Sequence, residues 1–433
     1  MRAAIYVIPT LAALASANSK PQCSCCSALA RHERLQGKVL MPDTAGYNAR
    51  LKTYYSANAA QHAWCMVLPE STQDVQAVAG VISEHECPFG IKAGAHSAWK
   101  GSNGVEKGIT VDFGKFSLVT DVLILMLISN AHGFACDMVE NWEIVLANGS
   151  VVNANAKENA DLWKAQKGGS GNLGFVTRID QKSIPGTLLW GGFTQYDLVQ
   201  RDAVFDAYID FTEKTQDNSP DQNIVALFFD EAGFAIRSIL TNGNGVANAS
   251  AFDKYLSIPN IGSTLTTGPD ANWFTGMATN SFEALASIDE LHHKWIPKIQ
   301  AAAPKANFST IIEFQPVTKT MVDNSNKRGG NIMGLERIVA DGPALMWLVS
   351  LTVDTEENQN AILPVAREFI EAINQKQMDL GTYVDWIYLN YAWEDEQPYP
   401  HYGAENRELL ACVSRQYDPN GVFQQLRKTG FKL

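Results

Sequence analysis

Pro88 to Phe113 reads PFGIKAGAHSAWKGSNGVEKGITVDF, and the reading of this stretch decides the fold. A strand-like run, Phe89 to Lys92, stops at Ala93-Gly94-Ala95, and His96 follows on a turn that small side chains leave open. Gly101 and Gly104 prolong the loop, and Gly108 precedes a second strand-like run, Ile109 to Phe113. Small residues at 93 to 95 let a ligand approach the backbone closely, and bare N–H groups can then hold an anion. The loop is a candidate phosphate cradle with an imidazole at its rim. The plain alternative is a glycine turn beside a hydrogen-bonded histidine.

Upstream, Cys65 to Leu68 reads as a short strand, and Ser71-Thr72-Gln73-Asp74 opens a helix with a capping pattern. Val75, Val78 and Ile82 give that helix an apolar stripe, and Pro88 ends the unit. Strand, helix, strand is a βαβ unit that feeds the loop.

Downstream, Trp142 to Leu146 turns at Ala147-Asn148-Gly149 into Val151-Val152-Asn153, a hairpin, and Asp161 to Lys167 is a short helix. Gly169-Ser170-Gly171-Asn172-Leu173-Gly174 matches the dinucleotide fingerprint by letter but follows a helix and opens a strand, Phe175 to Ile179. That order is the reverse of what a nicotinamide site needs. The glycines still suggest backbone pressed against a flat or anionic group.

From about Gly191 the chain alternates strands and amphipathic helices. Asn223 to Phe229 and Phe234 to Leu240 form a hairpin, with further strands at Ser309 to Phe314 and Leu345 to Val353. Helices are expected at Arg201 to Lys214, at Phe282 to Trp295 ahead of Pro297, and at Glu356 to Gln375. The expectation is an α+β protein whose antiparallel sheet is covered by helices on one face. In the tail, Tyr388-Leu389-Asn390-Tyr391 reads as strand-like, so Tyr388 and Asn390 should share a side. For Tyr388, core packing is the bland role and proton transfer the sharp one. Ala404 to Gln416 is a helix.

A chain of 433 residues suggests two lobes, and 46% hydrophobic against 18% charged residues fits a well-buried globular protein. Net charge of −12 argues against nucleic acid as a partner. Arg2, the apolar run Ala3 to Leu14 and Ala15-Ser16-Ala17 read as a secretory signal over 1–17, too short to span a membrane. Secretion permits one or two disulfides among Cys23, Cys25, Cys26, Cys65, Cys87, Cys136 and Cys412, and no zinc spacing is present. Asn148, Asn248 and Asn307 begin sequons compatible with glycosylation. Val122 to Ile128, VLILMLI, reads on pattern alone as a buried strand.

Taken together, Ile91-Lys92-Ala93-Gly94-Ala95-His96-Ser97, Gly133-Phe134-Ala135-Cys136-Asp137, Asp161-Leu162-Trp163 through Gly174, and Tyr388 to Tyr391 resemble the FAD-linked oxidases of the berberine bridge enzyme type. These belong to the vanillyl-alcohol oxidase and para-cresol methylhydroxylase group. The resemblance covers nearly the whole mature chain. It implies an FAD-binding domain over 18–187, a substrate domain over 188–380, and a C-terminal segment, 381–433, that returns to the flavin. His96 matches the histidine bonded to the flavin 8α-methyl group. Gly94, Ala95 and Ser97 match the loop around the cofactor, Gly171, Gly174 and Val176 the backbone passing close to it, and Asn390 a residue beside the ring. Tyr388, with Glu313 or Gln315, matches the residues that assist removal of a substrate proton. A tyrosine is a base only if its pKa falls well below about 10. The resemblance also pairs an N-terminal cysteine, Cys26, with Cys87.

The chain departs from the family after Phe113. The family carries several dozen further residues there, including a glycine-rich loop over the FAD pyrophosphate and, in some members, a cysteine bonded to flavin C6. Here 119–131 bridges the gap directly, so against the resemblance Val122 to Ile128 reads as a join. Cys136 lies in a different motif from the missing cysteine. Ala95 stands where a second glycine is usual. The expectation is a secreted, monomeric FAD-dependent oxidase that takes a hydride from a small alcohol, sugar or secondary metabolite and passes electrons to oxygen, with no metal. The alternative is a flavin-free remnant that binds a ligand.

Overall fold

A computed structural model describes residues 21–116, 129–182, 189–215, 220–267 and 276–433. The signal-like segment and the Val122 to Ile128 run lie outside the described residues. The chain is α+β, with three sheets.

The first sheet holds β1 (Val39–Leu40), β2 (Cys65–Val67), β3 (Phe89–Lys92) and β4 (Ile109–Asp112) in the order β1-β2-β4-β3. β4 is parallel to both β2 and β3, with Phe89 opposite Ile109 and Lys92 opposite Asp112. α1 (Pro21–Arg31), α2 (Ala45–Leu51) and α3 (Thr72–Glu84) accompany it. Ser71 caps α3 by accepting from the Asp74 N–H at 3.2 Å. Val75, Val78 and Ile82 are buried, as the stripe predicts. Two disulfides hold α1 down, Cys25–Cys87 and Cys26–Cys65. Cys87 therefore pairs with Cys25 and not with Cys26, whose sulfur reaches β2.

α4 (Ser129–His132) precedes an antiparallel second sheet, in which β5 (Val139–Val145) lies between β6 (Val151–Asn155) and β7 (Phe175–Gln181). α5 (Ala160–Gly169) lies between β6 and β7, and its last turn unwinds at Lys167 and Gly168.

The third sheet is antiparallel. Its strands are β8 (Trp190–Tyr196), β9 (Asp221–Asp230), β10 (Gly233–Asn242), β11 (Gly262–Ser263), β12 (Thr266–Thr267), β13 (Gly276–Thr279), β14 (Phe308–Val317) and β15 (Ala344–Val353). The order is β11-β8-β10-β9-β14-β15-β13, with β12 also on β8. The largest core joins this sheet to α6 (Arg201–Lys214), α7 (Asp253–Ser257), α8 (Phe282–Ala302) and α10 (Glu356–Leu380), and α9 (Lys319–Lys327) follows β14. Strand alternation sorts the residues. Ile312 and Phe314 enter the helix-side core, whereas Val317, Ala344 and Met346 enter a second core with Phe134, Trp386 and Tyr388.

α8 runs through Pro297 to Ala302, and α10 contains Pro364. The expected stop before Pro297 fails because Trp295, Ile296 and Ile299 are all buried on one core. Their packing outweighs the lost helical hydrogen bond. α11 (Ala404–Tyr417) and α12 (Val422–Gln425) complete the chain, whose end returns to β3: the Lys428 N–H donates to Phe89 O at 2.7 Å.

Candidate active site

The focal loop is held by charges beneath it. Lys92 Nζ lies 3.3 Å from Asp112 Oδ2, and Arg50 donates to both Asp112 oxygens at 2.8 Å. Burial lowers the Lys92 ammonium pKa, with Asp112 opposing it. Above this network the backbone is open. An added Cβ at Gly94 would meet nothing within 4 Å, and His96 is exposed. Ala95 takes φ 54°, a conformation that favours glycine, and its carbonyl accepts from the Tyr55 N–H at 3.2 Å. The Tyr55 ring sits 4.3 Å from that of His96.

Beside the loop lies a cavity of about 710 Å³, lined in part by Tyr55, Ser97, Trp99, Asn390 and Tyr391. Its size suits a small-molecule site. Asn390 Nδ2 donates to the Tyr388 hydroxyl at 3.0 Å. The two residues meet through a turn and not a strand, since the N–H groups of Tyr391 and Ala392 both donate to Tyr388 O at 3.0 Å. Tyr388 is buried among Phe134, Trp386 and Tyr391, with ring centroids 5.4, 5.6 and 4.6 Å away. Burial raises its pKa far above the usual tyrosine range, and the nearby Cys136 and Asp137 raise it further. With no cation lowering it, Tyr388 is a neutral phenol and not a tyrosinate base.

Glu313 and Gln315 are buried at 3% and 7% exposure, too enclosed for incidental surface residues. Leu348, the cross-strand partner of Glu313, lines the cavity. Glu313 acts on two tyrosines: after burial itself, its charge raises the pKa of Tyr55, and it adds to that of Tyr391. Gln315 lies near Tyr391 and opposes the rise in its pKa. His96, Glu313, Gln315, Tyr388 and Asn390 are thus linked through Tyr55 and Tyr391. Tyr55 carries no motif signal, being 41 residues before His96; Tyr391 ends the Tyr388 to Tyr391 motif, whose pattern assigns it no role.

Gly171 and Gly174 lie just before β7 and Val176 lies in it, and the glycines are packed against protein. A Cβ at Gly171 would sit 3.4 Å from Ile91 Cδ1, and one at Gly174 would meet Ile144 Cγ2 at 2.3 Å. Val176 packs partly buried against the second core. Beneath them, Arg427 is buried and donates to Asn172 Oδ1 at 2.5 Å and to Phe431 O at 2.8 Å. The free thiol of Cys136 is pushed up by burial, so it is not a thiolate at neutral pH. Among the described residues, no cluster of three or more His, Cys, Asp or Glu could hold a metal, and no helix is long and apolar enough to cross a membrane.

Backbone at Gly94 faces open space, the His96 imidazole is exposed beside it, and the cavity lined by Ser97 and Tyr55 adjoins the loop, an arrangement with room for the ring end of a flavin.

No family model matches the chain. By sequence it is 28% identical to the FAD-dependent monooxygenase drtC of Aspergillus calidoustus, over 484 positions covering 94% of this chain and 90% of the relative. It is also 28% identical to the FAD-dependent monooxygenase sdcF of Emericella nidulans, covering 94% and 98%. The first alignment is longer than the 433 residues of the chain, so that relative has segments this chain lacks. Among solved structures, 6-hydroxy-D-nicotine oxidase from Arthrobacter nicotinovorans superposes with a TM-score of 0.65 at 15% identity, covering 90% of this chain and 97% of that one. Berberine-bridge-enzyme-like 1 of Physcomitrella patens gives 0.68 at 14%, covering 94% and 99%. Glucooligosaccharide oxidase from Acremonium strictum, which carries a 6-S-cysteinyl, 8α-N1-histidyl FAD, gives 0.68 at 15%, covering 94% and 99%. The chain is therefore an α+β protein with the fold of the FAD-linked oxidases of the berberine bridge enzyme type, and its sequence relatives include FAD-dependent monooxygenases.

Proposed function

We propose that the protein is an FAD-dependent oxidoreductase whose flavin is tethered through His96. One observation carries the reading: an exposed imidazole on an open glycine turn, in ring contact with Tyr55, which lines the adjoining cavity together with Asn390 and Tyr391. Gly94, Ala95 and Ser97 would hold the ring end, with Asn390 at its edge. Bound there, FAD would supply a two-electron acceptor for a hydride from a small alcohol, sugar or secondary metabolite, with oxygen as the final acceptor.

The residues of the chain divide the remaining work. The Glu313 carboxylate takes the substrate proton, because Tyr388 is held neutral. Tyr388 donates its hydroxyl hydrogen to the substrate oxygen while Asn390 donates to the same hydroxyl and fixes its direction. Gln315 orients Tyr391, and the aromatic walls exclude water. The division into an FAD part, 18–187, a substrate part, 188–380, and a returning segment, 381–433, follows this assignment. Secretion accords with two disulfides, which form in oxidising compartments.

A second reading is a flavin-free ligand-binding remnant. It is favoured by the segments the relative has and this chain lacks. The absorbance spectrum of the purified protein before and after acid precipitation, alongside His96→Ala, separates the two. Colour that stays with the precipitate and is lost in the variant supports the tethered flavin. A folded, colourless wild type rejects it.

A further inference from the structure

We infer that the cavity takes a neutral, planar, largely apolar polycyclic compound, and rejects carboxylates and oligosaccharides. This rests on the oxidoreductase reading for its chemistry but not for its binding. One wall of the cavity is aliphatic, with Leu363 and Ile370 from α10 and Val349 and Leu351 from β15. A second wall is aromatic, with Trp99 from the focal loop and Trp386, Tyr391 and Trp393 from the returning segment. Such surfaces reward burial of flat apolar area.

Some polar side chains of the wall are already engaged, while the indole N–H groups of Trp99, Trp347 and Trp393 are buried without a hydrogen-bond partner among the described residues. Asn58 Nδ2 donates to Gln359 Oε1 at 3.1 Å, tying the segment before the focal loop to α10. Glu396 accepts from the backbone N–H of Trp393 at 2.7 Å, and burial raises its pKa. Arg367 is the only basic residue among the described lining residues. It is committed to Asp395 and, at 3.7 Å, to Glu394. Glu371, Asp395 and Glu396 meanwhile give the lining an acidic balance. An entering carboxylate would lose water, meet no uncommitted cation, and face like charge. A sugar would bring many hydroxyls to walls that offer few open partners.

The test is isothermal titration calorimetry on the full chain with three probes: 2-(hydroxymethyl)anthraquinone, anthraquinone-2-carboxylate and cellobiose. The neutral anthraquinone should bind at least about tenfold more tightly than its carboxylate, a gap of about 1.4 kcal/mol, and cellobiose should give no heat. The double variant Glu394→Ala, Asp395→Ala changes exposed residues and frees Arg367. It should tighten the carboxylate at least about fivefold relative to the neutral probe. Preference for the carboxylate or cellobiose, no binding of the neutral probe, or a carboxylate affinity unmoved relative to the neutral probe in the double variant would overturn the inference. A flavin spectrum on the same sample keeps the two claims apart. Flavin with cellobiose preference defeats this inference alone, whereas neutral-probe binding without flavin defeats the oxidoreductase reading alone.

Discussion

At the scale of single residues, the site turns on which buried group can hold a substrate proton. Burial forces Tyr388 to remain a phenol, while Glu313 sits on the same strand face as Gln315 and acts electrostatically on Tyr55 and Tyr391. Glu313→Gln should therefore reduce turnover by about 100-fold or more, the scale of a lost general base, and Tyr388→Phe by only about tenfold. Because the Tyr388 pKa is raised, the rate-pH profile should show no limb from it below about pH 10. Steady-state kinetics on both variants from pH 5 to 10 check this, and the reverse ranking would reassign the base to Tyr388. Lys432 gives a second residue-scale test. Burial, then Arg427 and Lys428, lower its pKa to about 7 in the folded chain. The unfolded chain keeps that proton to about pH 10.4. Between these values the unfolded state binds more protons, so stability rises with pH, and the full penalty is present below pH 7. Thermal melts of wild type and Lys432→Met should shift relative to one another in favour of the wild type between pH 6 and 9. A difference independent of pH would reject the titration.

Secondary-structure elements show where sequence reading reaches and where it stops. β3 at Phe89–Lys92, α6 at Arg201–Lys214 and the hairpin of β9 and β10 follow from local pattern, because alternation, capping and turn residues act within a few positions. The run through Pro297 does not, since distant core partners decide it. Nor does the turn at Tyr388, whose backbone hydrogen bonds replace an expected strand. Tyr55 was illegible for the same reason: only the fold brings it onto His96. The adjacent Cys25 and Cys26 could not be told apart by spacing, yet neighbouring positions on a helix point about 100° apart and so reach different partners. Those two bridges close loops of 62 and 39 residues. Loop-closure entropy assigns each about 4 kcal/mol. Replacing Cys25 and Cys87 together by alanine should lower unfolding free energy by about 3–4 kcal/mol in chemical denaturation. A loss under 1 kcal/mol would mean that the packing of α1, not the bridge, holds the first sheet.

For the whole molecule, the decisive fact is that the last residues of the chain complete its first sheet. Phe423 packs edge-on against Phe89 and Phe175 at centroid distances of 5.8 and 5.0 Å, and the Phe89 N–H donates to Leu426 O at 2.9 Å. Phe89 opens the strand that delivers the focal loop, so the geometry at His96 depends on residues more than 300 positions away. Phe423→Ala should cost about 3–5 kcal/mol, the usual range for deleting a fully buried phenylalanine. Because the lost packing is under the loop and not under the third sheet, cofactor tethering should suffer before the large sheet unfolds. In Phe423→Ala the ratio of bound flavin to protein should fall while far-ultraviolet circular dichroism stays close to wild type at 20 °C. The matching core substitution on the other side, Phe369→Ala in α10, removes a side chain from the helix-side core and should lower stability by a similar amount with flavin content intact. Equal loss of flavin in both variants would mean that the two halves of the molecule unfold as one unit and that the returning tail has no special hold on the loop.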